Sequence, residues 1–306
     1  MTESLGLSIG VANLVAARIG SAPVVRSSVL TLFEHRPTEV GLPEQNPSLT
    51  EPGLVLRGFV ERVGDRAPLV AADGTKYLGA ALTVEAIEAM ARTVGYGTPI
   101  TIAVPAYWSE AQFTALREEF FAQPDLARDG VPPVLISDAT AALAALRGQP
   151  GLATHGVVAL CDFGASGTSI TLANAGSNFA HVGPPVRYTK FSGDAIDQLV
   201  VDHVRSTVSD RTTADLASTT RIGSQTRLLG ECRRAKEHLS TTTVAGIAAG
   251  SDDNVQLSRA QLEQLVSGPL DRFLGTLRRY RSFRNRCRGK PTGAVHRRLT
   301  SIHTPI

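Results

Sequence analysis

Two short turns hold the residues in this chain that could do chemistry: Ser8-Ile9-Gly10-Val11-Ala12 and Phe163-Gly164-Ala165-Ser166-Gly167. Each joins two runs of apolar, β-forming residues and is built largely of glycine and other small residues. Such a turn lets backbone N–H groups converge on an anion, because no side chain blocks the approach. Two of them facing one another would clamp a polyphosphate, whereas either one alone reads equally as an ordinary β-turn. Other chemistries find little support. Cys161, Cys232 and Cys287 are scattered and form no CxxC pair, so neither a disulfide framework nor a zinc site is expected, and they read as core or helix residues. His35, His155, His181, His203, His238, His296 and His303 fall on no motif and read as surface or packing residues. Gly164-Ala165-Ser166-Gly167 lacks the G-x-S-x-G order of a hydrolase nucleophile turn, and residues 168–173 after it are strand-like.

The elements that must carry these turns follow an α/β pattern. Residues 5–10 and 14–17 form one strand-turn-strand unit, and residues 157–162 and 168–173 form a second that resembles it. Further β-rich pieces lie around Val24-Val25 and at residues 29–32, and the four prolines of residues 37–52 mark a loop. Residues 84–92 carry Ile87, Met90 and Ala91 at the spacing of one helical face. Residues 99–104 read as a buried strand stopped by Pro105-Ala106. Ser109 and Gln112 then form a capping box opening a helix lined by Phe113, Leu116 and Phe120. Residues 134–136 form another buried strand with Asp138 at its end, followed by a helix over 139–146 closed by Gly148. Helices are also expected at 194–205 and at 224–239, the latter with Leu228, Cys232, Ala235 and Leu239 on one face. Ser258 with Gln261 caps another, and Pro269 restarts one ending near Leu277. Two glycine-bearing hairpins, each followed by α/β material, imply an internally duplicated fold with one hairpin per lobe.

The composition, 42% hydrophobic and 19% charged over 306 residues, is that of a globular protein with a sizeable core. No apolar run approaches the roughly 18 residues needed to span a bilayer, and Met1-Thr2-Glu3-Ser4 lacks a basic region ahead of a hydrophobic stretch, so a cytoplasmic protein without membrane contact is expected. The net charge of +3 hides an asymmetry. From Arg278 onward there are eight arginines, one lysine and no acidic residue, so residues 1–277 hold 22 basic against 28 acidic side chains.

Five stretches in order resemble the Hsp70 family. Ile102-Ala103-Val104-Pro105-Ala106-Tyr107-Trp108-Ser109-Glu110-Ala111-Gln112 is similar to its V-P-A-Y-F-x-D-x-Q segment, and Asp138-Ala139-Thr140-Ala141-Ala142-Leu143-Ala144 to its E-P-T-A-A-A-L-A. Asp162-Phe163-Gly164-Ala165-Ser166-Gly167-Thr168 resembles the second phosphate loop, D-L-G-G-G-T. Ser192-Gly193-Asp194-Ala195-Ile196-Asp197 resembles G-G-E-D-F-D, and Glu231-Cys232-Arg233-Arg234-Ala235-Lys236-Glu237 resembles the adenosine-side helix with C-E-R-A-K-R. The match runs, with gaps, from about residue 5 to 277. It implies the duplicated, two-lobed actin-like ATPase (ribonuclease H-like) fold, with a first lobe over 1–152, an incomplete second lobe over 153–277 and a basic, disordered tail over 278–306. In that family Mg-ATP lies in the cleft between the lobes. By position, Gly10 and Asn13 belong to the first phosphate loop, and Gly164, Ser166, Gly167 and Thr168 to the second. Asp162 is the second-lobe carboxylate that holds magnesium through water, and Asp138 stands in for the catalytic glutamate. Gly193 and Asp194 approach the phosphates, and Lys236 borders adenosine. The resemblance thus implies ATP or ADP with Mg2+ as cofactors, and client proteins or co-chaperones as partners.

The departures from the family pattern point to weak nucleotide binding and little hydrolysis. Where the family has D-L-G-T-T, this chain has Ser8-Ile9-Gly10-Val11-Ala12, and serine cannot supply the charge that organises a hydrated magnesium. Asp138 is one methylene shorter than glutamate. The second loop has an extra residue and Ala165 in place of a glycine, so its hydroxyl is Ser166 or Thr168. Arg233 replaces a glutamate and Glu237 an arginine. Arg62, the nearest substitute for the catalytic lysine, reads more readily as a surface arginine. After Leu277 the G-G-S-T-R-I-P adenosine loop has no counterpart, nor has the peptide-binding domain. A C-terminally truncated, marginally stable form is therefore expected, with a tail whose change of composition suggests out-of-frame translation. Two other functions remain open. One is a non-catalytic interaction module whose arginine-rich tail binds nucleic acid or acidic partners, with Tyr280 and Phe283 stacking on bases. The other is a small-molecule kinase of the actin-like superfamily.

Overall fold

Strict alternation of apolar residues sets the first sheet. In β1 (Leu5–Ile9) Leu5, Leu7 and Ile9 are buried, and in β2 (Asn13–Arg18) Leu14 and Ala16 are. A computed structural model describes residues 3–121, 123–127, 130–147, 149–209, 221–250 and 254–287. The chain divides into two units, Met1–Leu160 with Thr171–Val186, and Cys161–Ile170 with Arg187–Ile306.

In the first unit β2 pairs antiparallel with β1 and with β3 (Val24–Ser27). A second small sheet sets β4 (Val29–Leu32) between β5 (Glu39–Val40) and β6 (Leu54–Arg57). The stretch 37–52, expected to be loop throughout, therefore contributes a short strand. Buried Asn46 holds it there, its Nδ2 donating to Val40 O at 3.0 Å and to Glu39 Oε2 at 2.9 Å. β7 (Leu69–Val70) and β8 (Lys76–Tyr77) form a minimal hairpin that leads into α1 (Gly79–Thr93). This helix starts before residue 84, where the pattern suggests, because Leu82 and Thr83 are already buried and the Thr83 hydroxyl donates to Gly79 O. β9 (Ile100–Val104) runs parallel to β1, and α2 (Glu110–Phe120) opens on the expected capping box, with Ser109 N donating to Gln112 Oε1 at 2.9 Å. β10 (Val134–Ser137) lies parallel to β9 and passes directly into α3 (Asp138–Leu146), whose first turn is capped by the Ser137 hydroxyl accepting from Ala139 N. Gly148, expected to close α3, lies outside the described residues. The strand order is β10-β9-β1-β2-β3. Ile102, Val104, Ile87, Met90 and Leu116 join the strands' inward residues in one core, each contributing about 1.5–3 kcal/mol by burial.

The second hairpin consists of β11 (Val157–Phe163) and β12 (Thr168–Asn174). β13 (Ala180–His181) and β14 (Val186–Tyr188) both pair with β12. In the second unit α4 (Gly193–Ser209) and α5 (Arg221–His238) pack with an antiparallel pair, β15 (Val244–Ala248) and β16 (Asn254–Ser258). Leu228, Cys232, Ala235 and Leu239 of α5 meet Val200, Val201 and Val204 of α4 and Ile247, Val255 and Leu257 of the pair. α6 is one helix, Arg259–Cys287, with Pro269 inside it, so no helix restarts at Pro269 or stops near Leu277. Its start is capped as expected, Ser258 N donating to Gln261 Oε1. The part of the basic tail beyond Cys287 lies outside the described residues. Among the described residues no helix is long and apolar enough to cross a membrane.

Candidate functional site

The two turns close in the same way. Gly10 N donates to Asn13 O at 2.9 Å in the first, and Gly164 N to Gly167 O at 3.0 Å in the second. A Cβ on Gly10 would stand 3.1 Å from the Asn13 carbonyl, and one on Gly164 would stand 3.0 Å from that of Gly167. Both positions therefore favour glycine for the same steric reason. The first turn is fixed from β4's side, where the Ser28 hydroxyl donates to Gly10 O at 2.6 Å and Ser28 N donates to Ala12 O at 2.8 Å. Asp138 opens α3, and its Oδ1 accepts from Ala106 N at 2.9 Å, which joins two of the motifs read from the sequence. β1, β9 and β10 are parallel, with Ser8 opposite Ala103 and Ala103 opposite Ile136. Gly10, Ala106 and Asp138 thus all follow the C-terminal ends of neighbouring parallel strands, where open α/β sheets meet their ligands. Arg62 pairs with Asp65 and donates to Ala67 O, in keeping with a local surface role.

The second turn is held from two directions. Gly193 N donates to Gly164 O at 3.1 Å and Asp194 N to Ala165 O at 2.9 Å, so the first turn of α4 is bonded to it. On the other side Arg187, from β14, donates through Nη1 to Gly167 O at 3.0 Å and to Ser169 Oγ at 3.1 Å, and through Nη2 to Ser166 Oγ at 2.7 Å. The guanidinium lies against Gly167, where a Cβ would come within 2.6 Å of Arg187 Nε. Among the described residues the N–H groups of Ala165, Ser166 and Gly167 donate to no backbone carbonyl. In a turn of small residues such N–H groups are available to an anion. Of the two candidate hydroxyls, Thr168 is fully buried and donates to Phe191 O at 2.6 Å, whereas Ser166 is only half-buried.

The charges around this turn are largely paired. Asp197, with no exposed surface, takes Arg233 Nε at 2.8 Å on one oxygen and Lys236 Nζ at 2.7 Å on the other. Arg233 Nη2 also reaches Asp194 Oδ1 at 2.7 Å, and Lys236 Nζ donates to Gly193 O at 3.2 Å. Lys236 and Asp194, both expected to face a ligand, are thus engaged within the protein. Burial pushes the Glu237 carboxyl up, against the pull of Lys236 and Arg233. Burial also pushes the Cys161 and Cys232 thiols up to about 11, which leaves neither as a thiolate at neutral pH.

Asp162 keeps an exposed surface, yet the surrounding protein raises its carboxyl above 3.8, with Arg187 pulling the other way. A carboxyl whose folded value is raised costs stability as pH climbs above its unfolded value, because the unfolded chain ionises first. Asp162→Asn is therefore expected to match the parent below pH 3.8 and to melt slightly higher above it. Thermal midpoints measured from about pH 3 to 7 check this, and a gap that narrows as pH rises contradicts it.

The second unit therefore brings together Gly164, Ser166, Gly167, Gly193, Asp194 and Lys236, while Thr168 lies beneath them. In the first unit Gly10 and Asn13 share a turn, and Asp138 follows a neighbouring strand end. Arg187, Asp197 and Arg233 also organise this region, although neither turn motif includes them. The only local sign of the last two is spacing, since Asp194 and Asp197 on α4, and Arg233 and Lys236 on α5, each stand three residues apart. The small-residue turn and its N–H groups are of the kind that can take a phosphate. Asp162, two residues before Gly164, is the exposed carboxylate of this stretch, and among the described residues no three His, Cys, Asp or Glu side chains cluster as a direct metal site. A family model described as Hsp70 protein matches residues 73–281.

Proposed function

We propose, on the premise that the chain belongs to the Hsp70 family, that the turn at residues 164–167 receives the phosphates of ATP or ADP in a weak or degenerate ATPase. Domains of this kind, part of the actin-like ATPase superfamily, bind ATP and ADP with Mg2+. The observation that carries the reading is a small-residue turn whose Ala165, Ser166 and Gly167 N–H groups donate to no backbone carbonyl among the described residues, braced by Arg187 and by the first turn of α4.

Ser166 donates to a phosphoryl oxygen in this reading, and Gly193, without a side chain, permits close approach. Gly10 and Asn13 supply the equivalent turn of the first unit. Bound magnesium would neutralise phosphate charge, with Asp162 holding one of its waters. Asp138 holds the catalytic glutamate's place in the family motif with a side chain one methylene shorter, and about 1 Å of misplacement costs on the order of 100-fold in rate. Ser8 contributes no charge to the metal, and Lys236 reaches a nucleoside only by loosening its pair with Asp197. These features support slow hydrolysis and modest affinity. Client proteins and co-chaperones are the partners that the reading implies.

Thermal unfolding with Mg-ATP, Mg-ADP and nucleotide plus chelator tests it. A ligand present at about 100 times its Kd adds about 2.7 kcal/mol to stability, so weak binding should raise the midpoint at millimolar but not micromolar nucleotide. The rise should shrink when magnesium is removed. No rise at any concentration would overturn the nucleotide assignment. Steady phosphate release as fast as from an Hsp70 with the full carboxylate set would overturn the weak-hydrolysis part.

A further inference from the structure

Arg187 binds two groups of one turn, Gly167 O and Ser166 Oγ, and Ser169 Oγ of β12 beside it, from a strand that lies about 20 residues further along the chain. A guanidinium donates and cannot accept. Ser166 Oγ, 2.7 Å from Arg187 Nη2, is therefore the acceptor in that bond. Its own O–H hydrogen must point elsewhere, and among the described residues no protein acceptor receives it. Gly167 O accepts from both Gly164 N and Arg187 Nη1, so the carbonyl that could repel an incoming anion is turned toward the protein. Thr168 cannot take the place of Ser166, because its proton is committed to Phe191 O in a fully buried setting.

We infer that Arg187 is a positioning residue for phosphate binding: it holds Ser166 as an obligate hydrogen-bond donor aimed at a phosphoryl oxygen and turns the Gly167 carbonyl away. The inference rests on the nucleotide reading above. Arg187 acts through the turn and need not touch the nucleotide itself. Its bidentate reach is essential, since a lysine carries the charge but cannot span the Ser166 hydroxyl and the Gly167 carbonyl together.

Calorimetric titration of the full chain with Mg-ATP tests this in a cycle of Ser166→Ala, Arg187→Met and the double variant, with Arg187→Lys beside them. Each single variant should bind about 10-fold more weakly, the usual size of one hydrogen bond to a charged group. The double variant should be little weaker than the worse single one, because both remove the same interaction. Arg187→Lys should recover only part of the loss, and the urea midpoints of the ligand-free variants should change far less than the affinities. Losses that multiply in the double variant overturn the inference, as does unchanged affinity in Arg187→Met. Should Arg187→Met fail to fold, the cycle is run with Arg187→Lys, whose smaller loss should still not multiply with that of Ser166→Ala. If the parent chain itself binds no Mg-ATP, the nucleotide reading fails and takes this inference with it. If the parent binds and only the Arg187 variants are unaffected, the nucleotide reading stands.

Discussion

Asp197→Ala should destabilise the protein by about 3–5 kcal/mol, the usual cost of removing one partner from a buried ion pair. Asp197 has no exposed surface and neutralises two cations at 2.7–2.8 Å, and Lys236 is itself only 11% exposed. The alanine variant leaves the Lys236 ammonium largely out of water, bonded to the Gly193 carbonyl and with Glu237 as a nearby carboxyl but without its 2.7 Å partner. The Arg233 arm contributes less, because that side chain is 48% exposed and partly screened by solvent. A domain is typically stable by about 5–15 kcal/mol, so the variant should lose a large part of its margin. Urea unfolding followed by circular dichroism measures the loss. A value under about 1 kcal/mol would mean that solvent already supports both cations.

Phe273→Ala should cost a similar amount, about 3–5 kcal/mol, through the cavity left in an aromatic cluster. Phe273 is buried on α6, stacked on Phe191 at 5.6 Å, with Phe163 at 5.5 Å and Tyr188 at 5.6 Å between ring centroids. Such ring pairs add about 0.5–1.5 kcal/mol beyond the area they bury. The cluster also supports the turn, because Phe191 O is the acceptor for Thr168 and Phe163 immediately precedes Gly164. Phe273→Leu, which refills most of the volume, should retain much of the stability in the same urea assay. Equal losses in the two variants would show that volume is not what Phe273 contributes.

Where a local pattern carries the information, the sequence disclosed the fold. Both hairpins are legible because apolar, strand-forming runs flank small-residue turns within a dozen residues or so. The Ser109–Gln112 and Ser258–Gln261 caps were legible because the partners lie three residues apart. The β15–β16 pair went unread although Ala245, Ile247, Val255 and Leu257 alternate, since alanine and glycine in β15 weaken the strand signature. Pro269 suggested a break, but α6 continues through it, an instance of tertiary packing outweighing a local preference. In the site, glycine and hydroxyl positions could be read, but which hydroxyl is available could not. That depends on Phe191 O receiving Thr168 and on Arg187 reaching Ser166, contacts made by residues about 20 positions away. The resemblance places Lys236 beside adenosine, and its pairing with Asp197 has no local sign because the aspartate lies on another helix.

The bonds from Gly193 and Asp194 to Gly164 and Ala165 tie the turn to the start of α4. It is geared to α4, and α4 is geared to α5 by Asp194, Asp197, Arg233 and Lys236. Bend and helices are thus joined in series, by amides at one end and by opposite charges at the other.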